Sequence, residues 1–589
     1  MRYLALLIPI LFLSENTFSQ GGKPKPTIVN LKVGRKEDSS AIKDYFKRQN
    51  KLKNEADETQ LNQTLEFFNT YESVADTFTA LTITSSKLAR LPESFKKFKN
   101  IESLKLMRCQ SVYLDDLFDK MRDFKQLKKL EIIFSNKAGI PENIYLLSNL
   151  EELNISNNHL RKLPDSIIYL KNLKKVNLMH NPYISIGQAF SKLAQIPKLQ
   201  YLDFSFSQLD SIPQTIGDFK ELTYLDISDN KFTSIPEQFG NLNKIVEINL
   251  NGCKKLNLKT ALNAIGKCKS IETLHMQYSM IEDVPAEIGT LTNLKYLYLK
   301  NNLIKSLSSE IGNLKSLIIL DLGSDIMSGD KNQLTSIPAS IGNLSNLKSL
   351  NLSLNKLDKL PNALAQLKQI EGIDIGWNAF EKFPEVLCEM TSLKAINLNV
   401  NFFSVIPERI SNLNNLEVLL MAGDFRQQPK RKIKTIPSSI GQCKKLRVLN
   451  LRDHVIEELP AELWTLGALE ELNLMDNLLS KLPDEISQLK KLKSLNVKAN
   501  DIAYFPTSFG TLKEIEYVNL AYNPPLDFSP VFGILASCKS LLKVDISYNE
   551  LDIERAKELK RALNGAKVIK LELKSKSTKA DVMKEEERK

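Results

Sequence analysis

Apolar residues recur along most of this chain with one spacing. The segment LEELNISNNHLRKLPDSIIYLKN, which begins at residue 150, and LEELNLMDNLLSKLPDEISQLKK, which begins at residue 469, both fit the pattern L-x-x-L-x-L-x-x-N-x-L-x-x-L-P-x-x-I-x-x-L-x-x. Apolar and polar positions alternate around the second and third leucines, as expected for a short strand with one buried face. One such strand cannot bury its apolar face alone, so neighbouring units must stack.

The pattern divides the chain into twenty units, most of them 23 residues long. The segment VIKLEL at 568–573 is predicted to be a closing strand. The units begin at Phe78, Ile101, Leu127, Leu150, Leu173, Leu199, Leu222, Ile245, Ile271, Leu294, Leu317, Leu347, Ile370, Leu393, Leu416, Leu446, Leu469, Leu492, Ile515 and Leu541.

Each unit carries a polar residue after its predicted strand. This residue is Asn in many units, as at Asn158 and Asn230, and Ser, Cys or His in others, as at Cys253 and His454. A side chain of this kind can satisfy backbone groups inside a tight turn. The Leu-Pro that follows favours an extended entry into the outer part of the unit. The sequence therefore predicts an α/β solenoid with a parallel β-sheet on its concave inner face.

Unit length predicts the structure of the outer segments. The units that begin at Ile101, Leu173, Ile245 and Ile515 are 26 residues long and lack the Leu-Pro. Helix-forming segments without an internal Pro, such as TALNAIGKCK at 260–269, replace it. We expect α-helical turns in these units and 3-10 or extended segments in the others.

The repeat pattern resembles that of leucine-rich repeat proteins of the Leu-Pro type, which include the plant intracellular Ras-group proteins and the animal Ras-pathway scaffold. The resemblance extends over about five-sixths of the chain. It implies a leucine-rich repeat horseshoe that serves as a non-enzymatic protein-binding scaffold. Those relatives are cytosolic, so their partners do not carry over to a chain with an export signal.

The ends of the chain differ from the repeats. Residues 1–19 have the basic start, short apolar core and small residues of a secretory signal peptide, and the apolar run is too short to span a bilayer. We predict a linker and helical cap at 20–77, with apolar cap residues including Phe46 and Phe68, the solenoid at 78–573, and a charged, disordered tail at 574–589. The mature chain should be exported to the periplasm, the cell surface or the medium, and should not be membrane-embedded. A bacterial source fits this layout.

Charge and cysteine positions narrow the possible functions. The net charge is +11, but inward strand positions carry acidic residues such as Glu151 and Glu152 as well as Lys128 and Lys129, so no basic stripe indicates nucleic-acid binding. The six cysteines occupy interior positions of different units, and Cys268 stands where other units have leucine. We therefore predict buried, reduced thiols.

Catalytic chemistry has no candidate residues in this sequence. The four histidines lie in different units, without metal-ligand spacing, and no phosphate-binding Gly-rich loop is present. The prediction is a protein without enzymatic activity, cofactor or metal that binds another macromolecule, most simply a protein, through the concave face of the solenoid. Binding of a cell-surface glycan, or action as an adhesin, remains an alternative.

Aromatic residues concentrate on predicted inward positions between the sixth and tenth units. Exposed aromatic side chains are enriched in binding hot spots, although strand propensity and stacking along the sheet would also place them there. A glycan-binding face should leave Asp203 and Asp226 exposed and unpaired beside their tyrosines, whereas a protein-binding face needs a broader apolar patch. The candidate ligand-binding residues of this wall are Tyr201, Phe206, Tyr224, His275, Tyr278, Tyr296 and Tyr298, with Trp377 farther along.

Two units contain seven extra residues. The pattern places both insertions directly after the residue that corresponds to the turn Asn, namely Asp325 and Asp424. They should leave the same edge of the sheet, four units apart. They are either tolerated surface insertions or a pair of lips over the inner wall near Trp377. The second insertion adds the candidate binding residues Arg426, Lys430, Arg431 and Lys432.

Overall fold

The computed structural model describes residues 62, 65–84, 87–135, 139–424, 426, 428–549 and 568–570. Within them, each sequence unit forms one coil, made of a short strand, a tight turn and an outer segment. The coils group into two compact units, divided in the sequence between Ser279 and Met280 and here called the N-terminal and C-terminal units. The predicted signal peptide and charged tail, and most of the linker and cap, lie outside the described residues and stay predictions.

The N-terminal unit contains a parallel sheet. Leucines of neighbouring strands are in register, as Leu130 is with Leu153, so they form continuous rows in the core. The strands are β1 (Ala80–Thr84), β2 (Ser103–Met107), β3 (Lys129–Ile133), β4 (Glu152–Asn154), β5 (Lys175–Asn177), β6 (Tyr201–Asp203), β7 (Tyr224–Asp226), β8 (Glu247–Asn249) and β9 (Thr273–His275).

The C-terminal unit repeats this arrangement, and a separate short pair, β10 with β12, is also parallel. The predicted closing strand is confirmed, because β23 pairs with β22. The strands are β10 (Asp283–Val284), β11 (Tyr296–Tyr298), β12 (Ser306–Leu307), β13 (Ile319–Asp321), β14 (Ser349–Asn351), β15 (Gly372–Asp374), β16 (Ala395–Asn397), β17 (Val418–Leu420), β18 (Val448–Asn450), β19 (Glu471–Asn473), β20 (Ser494–Asn496), β21 (Tyr517–Asn519), β22 (Lys543–Asp545) and β23 (Val568–Lys570).

The outer segments follow the predicted division between long and short units. The four 26-residue units carry the α-helices α1 (Leu114–Lys120), α2 (Ile186–Leu193), α3 (Leu258–Ile265) and α4 (Phe528–Ser537). In the shorter units the Pro of Leu-Pro is extended, as Pro164 is at φ −63° and ψ 153°, and a 3-10 helix starts after it. The predicted solenoid, with strands on one face and these segments on the other, is confirmed.

The 3-10 helices of the N-terminal unit are Glu72–Thr77, Glu93–Lys97, Glu142–Leu146, Asp165–Tyr169, Gln214–Asp218 and Glu237–Asn241. Those of the C-terminal unit are Ala286–Thr290, Ser309–Asn313, Ala339–Asn343, Asn362–Gln366, Glu385–Glu389, Glu408–Asn412, Pro429–Arg431, Ser438–Gln442, Ala461–Thr465, Asp484–Gln488 and Thr507–Thr511.

The turn residue of the regular described coils ties its coil to the coil before. The amide nitrogen of Asn158 donates to the carbonyl of Ile132 at 2.7 Å and to that of Ile155 at 2.9 Å. Cys253 makes the equivalent contact, with its Sγ 3.4 Å from the carbonyl of Ile227. Because the strands are short, these side chains satisfy buried carbonyls that the sheet leaves unpaired. The predicted role of the turn residue is confirmed.

Aromatic residues close the N-terminal end of the core. Phe68, from the part of the predicted cap that the structure describes, is 1% exposed. Its ring centroid lies 5.4 Å from that of Phe95 and 5.2 Å from that of Phe98. All six cysteines are buried and free, as predicted.

Candidate functional site

Tyr201 and Tyr224 lie next to each other on β6 and β7, on the side of the sheet away from the core, here called the open face. Their rings are stacked, with centroids 4.4 Å apart and planes 2° apart. Both side chains are half-buried. Stacking covers one face of each ring, and the Tyr224 hydroxyl donates to Asp226 Oδ2 at 3.4 Å, so the pair does not form a broad apolar surface.

Two buried carboxylates lie beside this pair. Asp203 accepts hydrogen bonds from Ser205 Oγ at 2.7 Å and from Asn177 Nδ2 at 2.8 Å. Asp226 accepts one from Asn249 Nδ2 at 2.8 Å. Burial, with the neighbouring Asp226 adding to it, raises the pKa of Asp203 to about 6. The exposed, unpaired carboxylates expected of a glycan-binding face are therefore not present at these two positions.

The aromatic wall differs from its prediction at two further positions. His275 is 8% exposed, and its Nε2 lies 2.9 Å from Glu247 Oε1. In the C-terminal unit Tyr298 is 6% exposed, while Tyr296 is half-buried. The expectation that His275 and Tyr298 offer exposed contact area was wrong. Strands only ~4.8 Å apart allow neighbouring side chains to cover one another on the open face.

Phe206, Tyr278 and Trp377 lie at the edge of the sheet rather than on its open face. Each is the third residue after its strand and has a left-handed backbone, with φ of 54°, 56° and 57°. Phe206 is 49% exposed and Tyr278 is 43% exposed. Their predicted inward position is corrected to this edge because the left-handed turn carries them past the end of the strand.

Residues at this position, directly before the turn residue, are here called rim residues. The other left-handed rim residues are Arg108, Phe134, Asn157, His180, Asp229 and Gly252 in the N-terminal unit, and Asn301, Leu354, Val400, Asp453, Asp476, Ala499, Tyr522 and Tyr548 in the C-terminal unit.

The position of the first insertion also needs correction. Asn332, rather than Asp325, occupies the turn position: its Nδ2 donates to the carbonyls of Leu299 at 3.0 Å and Leu322 at 2.9 Å. Its Oδ1 accepts from the backbone N–H of Ile304 at 3.0 Å, and the residue is 2% exposed. The extra residues therefore enter before the turn residue. A side-chain amide can donate to these carbonyls, whereas a carboxylate cannot.

The first insertion is anchored at its base and apolar at its tip. Asp325 lies 2.5 Å from Lys300 Nζ and accepts from Asn301 Nδ2 at 2.7 Å. Beyond this anchor, Ile326 is 56% exposed and Met327 is 94% exposed. The insertion also borders an open groove of about 430 Å³, lined by Leu303, Gly329, Lys331, Asn332, Gln333, Leu354, Asn355, Lys356 and Trp377.

The second insertion is basic and folds back along the rim. Arg426 pairs with Asp424 at 2.8 Å. Arg431 reaches Glu381 at 3.0 Å, and its guanidinium carbon lies 5.0 Å from the ring centroid of Phe402. The remaining predicted basic residues, Lys430 and Lys432, are exposed and half-buried, respectively.

The sequence analysis did not identify four exposed or half-buried apolar residues of the rim and the first insertion, namely Leu354, Val400, Ile326 and Met327. A signal for the rim was available, because the column before the turn residue contains Asn157, Asp229 and Gly252, types that tolerate a positive φ. Large apolar residues are exceptions to this preference, so in that column they indicate a candidate binding surface.

Among the described residues, no helix has the length and hydropathy that a membrane span requires. Three family models match parts of the chain: a leucine-rich repeat region at 424–581, and leucine-rich repeats at 197–254 and 330–380 and at 149–170. A search of curated proteins finds no match.

Solved structures show the same fold. A leucine-rich repeat protein of Leptospira interrogans is 27% identical, with a TM-score of 0.56 over 70% of this chain and 93% of that chain. The Toll–Spätzle complex of Drosophila gives 19% identity and a TM-score of 0.53 over 80% of this chain and 57% of that one. The latter likeness concerns the fold alone.

Proposed function

We propose that this leucine-rich repeat protein is an exported, non-enzymatic binding protein that recognises another protein through its rim. The observation that carries the proposal is the set of large apolar side chains at left-handed rim positions, such as Phe206, Tyr278 and Trp377. Stacked repeats offer an extended surface of this kind to a partner, and aromatic residues are enriched at binding hot spots.

Backbone energetics support a binding role for these side chains. A left-handed backbone costs about 1–2 kcal/mol for residues other than Gly, Asn and Asp. Val400 is β-branched and still has φ of 54°. Tyr522 and Tyr548 pack on each other within the chain, with ring centroids 5.0 Å apart. Since a small polar residue would suit the turn better, exposed apolar rim residues such as Phe206 and Tyr278 are best explained by contact with a partner.

Burial favours a protein over a glycan as the partner. Asp203 and Asp226 are buried and hydrogen-bonded, so they offer few groups to a sugar, whereas the rim offers apolar area. A glycan-binding protein or adhesin remains the alternative, and binding of the purified chain to a glycan array that depends on Tyr201 or Tyr224 would favour it.

Export and the Leu-Pro type of repeat belong to the same proposal. The start of the chain resembles a signal peptide, and an apolar residue followed by Pro recurs in most units of standard length, as Leu-Pro at Leu163 and Leu482 and as Ile-Pro at Ile235. A signal peptide cleaved after Ser19 would leave a mature chain that begins at Gln20. Intact-mass measurement of the protein from its source cells tests this expectation.

A photo-crosslinking residue placed at single positions tests the proposed surface in the source cells. We expect crosslinks to one protein of discrete mass from the positions of Tyr278 and Trp377. Tyr169 is the matched control, because it is 61% exposed but lies in an outer 3-10 helix. Crosslinks from Tyr169 alone, or none to protein from either rim position, would contradict the proposal.

A further inference from the structure

We infer that the two insertions and the three coils between them form a trough that binds an acidic segment of a partner protein carrying an apolar side chain. The floor of the trough is formed by the rim residues Leu354, Trp377 and Val400. Its two lips are residues 325–331 of the first insertion and the described residues 424, 426 and 428–432 of the second. This inference rests on the proposed protein-binding function and adds the chemistry of the bound segment. The whole trough lies in the C-terminal unit.

The insertions bracket an apolar stretch of the rim. They belong to the coils of β13 and β17, and the coils of β14, β15 and β16 lie between them. The rim residues of those three coils are all apolar, whereas Asn301 precedes the first lip and Asp453 follows the second. Apolar rim residues therefore fill the whole interval between the lips.

Both lips reach the middle coil of this stretch, which is that of β15. Gly329 and Lys331 of the first lip line the same groove as Trp377. Arg431 of the second lip, coming from the opposite direction, pairs with Glu381 of the coil that contains Trp377. Two insertions that arise four coils apart thus converge on one coil.

The backbone of the floor is fixed. The N–H groups of Leu354, Trp377 and Val400 donate to carbonyls of the next coil at 2.9, 2.7 and 2.7 Å, respectively. The floor therefore presents its side chains without needing to be ordered by a ligand, which lowers the entropic cost of binding.

The lips differ in chemistry. The first lip exposes Ile326 and Met327. Its other charged residues, Asp330 and Lys331, have opposite charges. In the second, Lys430 and Lys432 make no ion pair with any described residue. Two acids near it, Asp424 and Glu381, are already paired, and Asp453, which interacts with Lys432 through its charge, has a pKa raised by burial. A segment in the trough would meet apolar surface at one end and excess positive charge at the other.

These features define the length and chemistry of the partner segment that the trough would bind. Four strand steps of ~4.8 Å separate the coils of the lips, and this ~19 Å corresponds to about six residues of extended chain. An apolar side chain would contact Trp377 and the first lip, and carboxylates would lie toward the second. A basic segment would be repelled at the second lip, and a fully apolar one would leave its lysines without a partner.

Fluorescence anisotropy with labelled seven-residue peptides and the purified full-length chain tests the inference. One peptide has a central Leu flanked by Glu residues, the second has the same Leu flanked by Lys, and the third has Glu residues around a central Ala. The first peptide should bind at least tenfold more tightly than either of the others. Trp377→Asn, which keeps a residue suited to the left-handed turn, should weaken its binding at least tenfold.

A second experiment reverses the charge of lysines in the two lips. The pair Lys331→Glu and Lys430→Glu should weaken binding of the Glu-flanked peptide and improve that of the Lys-flanked one. The matched control is Lys315→Glu with Lys368→Glu, which are exposed residues following outer 3-10 helices, and this pair should change little.

The possible outcomes separate this inference from the proposed function. Binding that depends on Trp377 but not on the flanking charge would overturn the acidic segment and leave the rim as a protein-binding surface. Peptide binding that no trough variant affects would overturn the trough, while crosslinking at Tyr278 would still test the rim of the other unit. Concentration-dependent self-association that Trp377→Asn abolishes would identify the occupant as a second copy of the chain and also overturn the inference.

Discussion

The side-chain amide of Asn332 donates to the carbonyl oxygen of Leu299 at 3.0 Å. Asn355 makes the equivalent bond to the carbonyl of Leu322 one coil later, also at 3.0 Å. The regular contact between neighbouring coils is therefore kept in the coil that contains seven extra residues. An insertion before the turn residue leaves this contact in place, so the core continues without a break.

Replacing Asn332 should therefore destabilise the C-terminal unit much more than replacing Asp325. Asn332→Ala leaves buried carbonyls without a donor and should cost about 2–3 kcal/mol. Asp325→Ala removes a partly exposed ion pair and should cost less than about 1 kcal/mol. Midpoints of guanidinium unfolding measure both changes. Equal midpoints for the two variants would contradict the assignment of Asn332 as the turn residue.

Val400→Asn should stabilise the protein while weakening partner binding. Asn tolerates a left-handed backbone better than a β-branched residue does, which is worth about 0.5–1 kcal/mol. Thermal unfolding measures the gain. Val405→Asn is the matched control, because Val405 is 69% exposed on the same coil and is not left-handed. A loss of stability in Val400→Asn would show that Val400 is held by packing within the chain.

Asp453 should make the stability of the C-terminal unit depend on pH. Burial raises the pKa of Asp453 to about 7, with Arg452 opposing the rise and Asp476 adding to it. Among the described residues its Oδ1 has no hydrogen-bond donor. The folded chain thus retains a proton that the unfolded chain loses near pH 4, so this contribution to stability is complete below pH ~4 and is lost as the pH rises to ~7.

Asp453→Asn removes this titration and should raise stability at pH 8 by up to about 4 kcal/mol relative to the parent, since the pKa rises by about three units at about 1.4 kcal/mol each. Unfolding midpoints between pH 4 and pH 8 provide the measurement, and Asp501→Asn, at an exposed acid, is the control. An unchanged slope in Asp453→Asn would assign the pH dependence to other groups, such as Asp203.

The cysteines should react slowly with thiol reagents in the native state. Burial raises the pKa of Cys268 to about 12 and that of Cys443 to about 11, so little thiolate is present and access is blocked. Labelling should become fast only after unfolding, in contrast to a cysteine introduced by Ser345→Cys at an exposed position. Rapid native labelling of Cys268 would mean that the coil around it opens.

The sequence predicted the fold in detail because the repeat pattern encodes local physics. Strand alternation, the turn residue and the missing Leu-Pro of the longer units each act within a single coil, so the strands and the four helices lie where the pattern placed them. The insertion site was misjudged because counting from the strand assigns the turn to Asp325. The motif Asn332-Gln333-Leu334, which matches Asn355-Lys356-Leu357, was the better guide.

The surface was predicted less well, because exposure depends on neighbouring coils. Strand alternation predicts that Tyr298 points away from the core, yet it is 6% exposed. Trp377 was recognised as a candidate, but its place at the rim depends on a left-handed turn that the apolar pattern does not reveal. The convergence of the two lips depends on contacts such as that between Arg431 and Glu381, fifty positions apart in the sequence.

The affinity of the crosslinked partner, once purified, tests most directly whether the protein recognises another protein through its rim. Calorimetric titration would compare the parent with a rim variant that carries Phe206→Asn, Tyr278→Asn, Trp377→Asn and Val400→Asn. Its matched control carries Tyr145→Asn and Tyr169→Asn on the outer segments. Hot-spot residues contribute about 2 kcal/mol or more each, though not additively, so we predict a loss of at least ~100-fold in the rim variant and little change in the control. Parental affinity in a folded rim variant, with loss in the control, would contradict recognition through the rim.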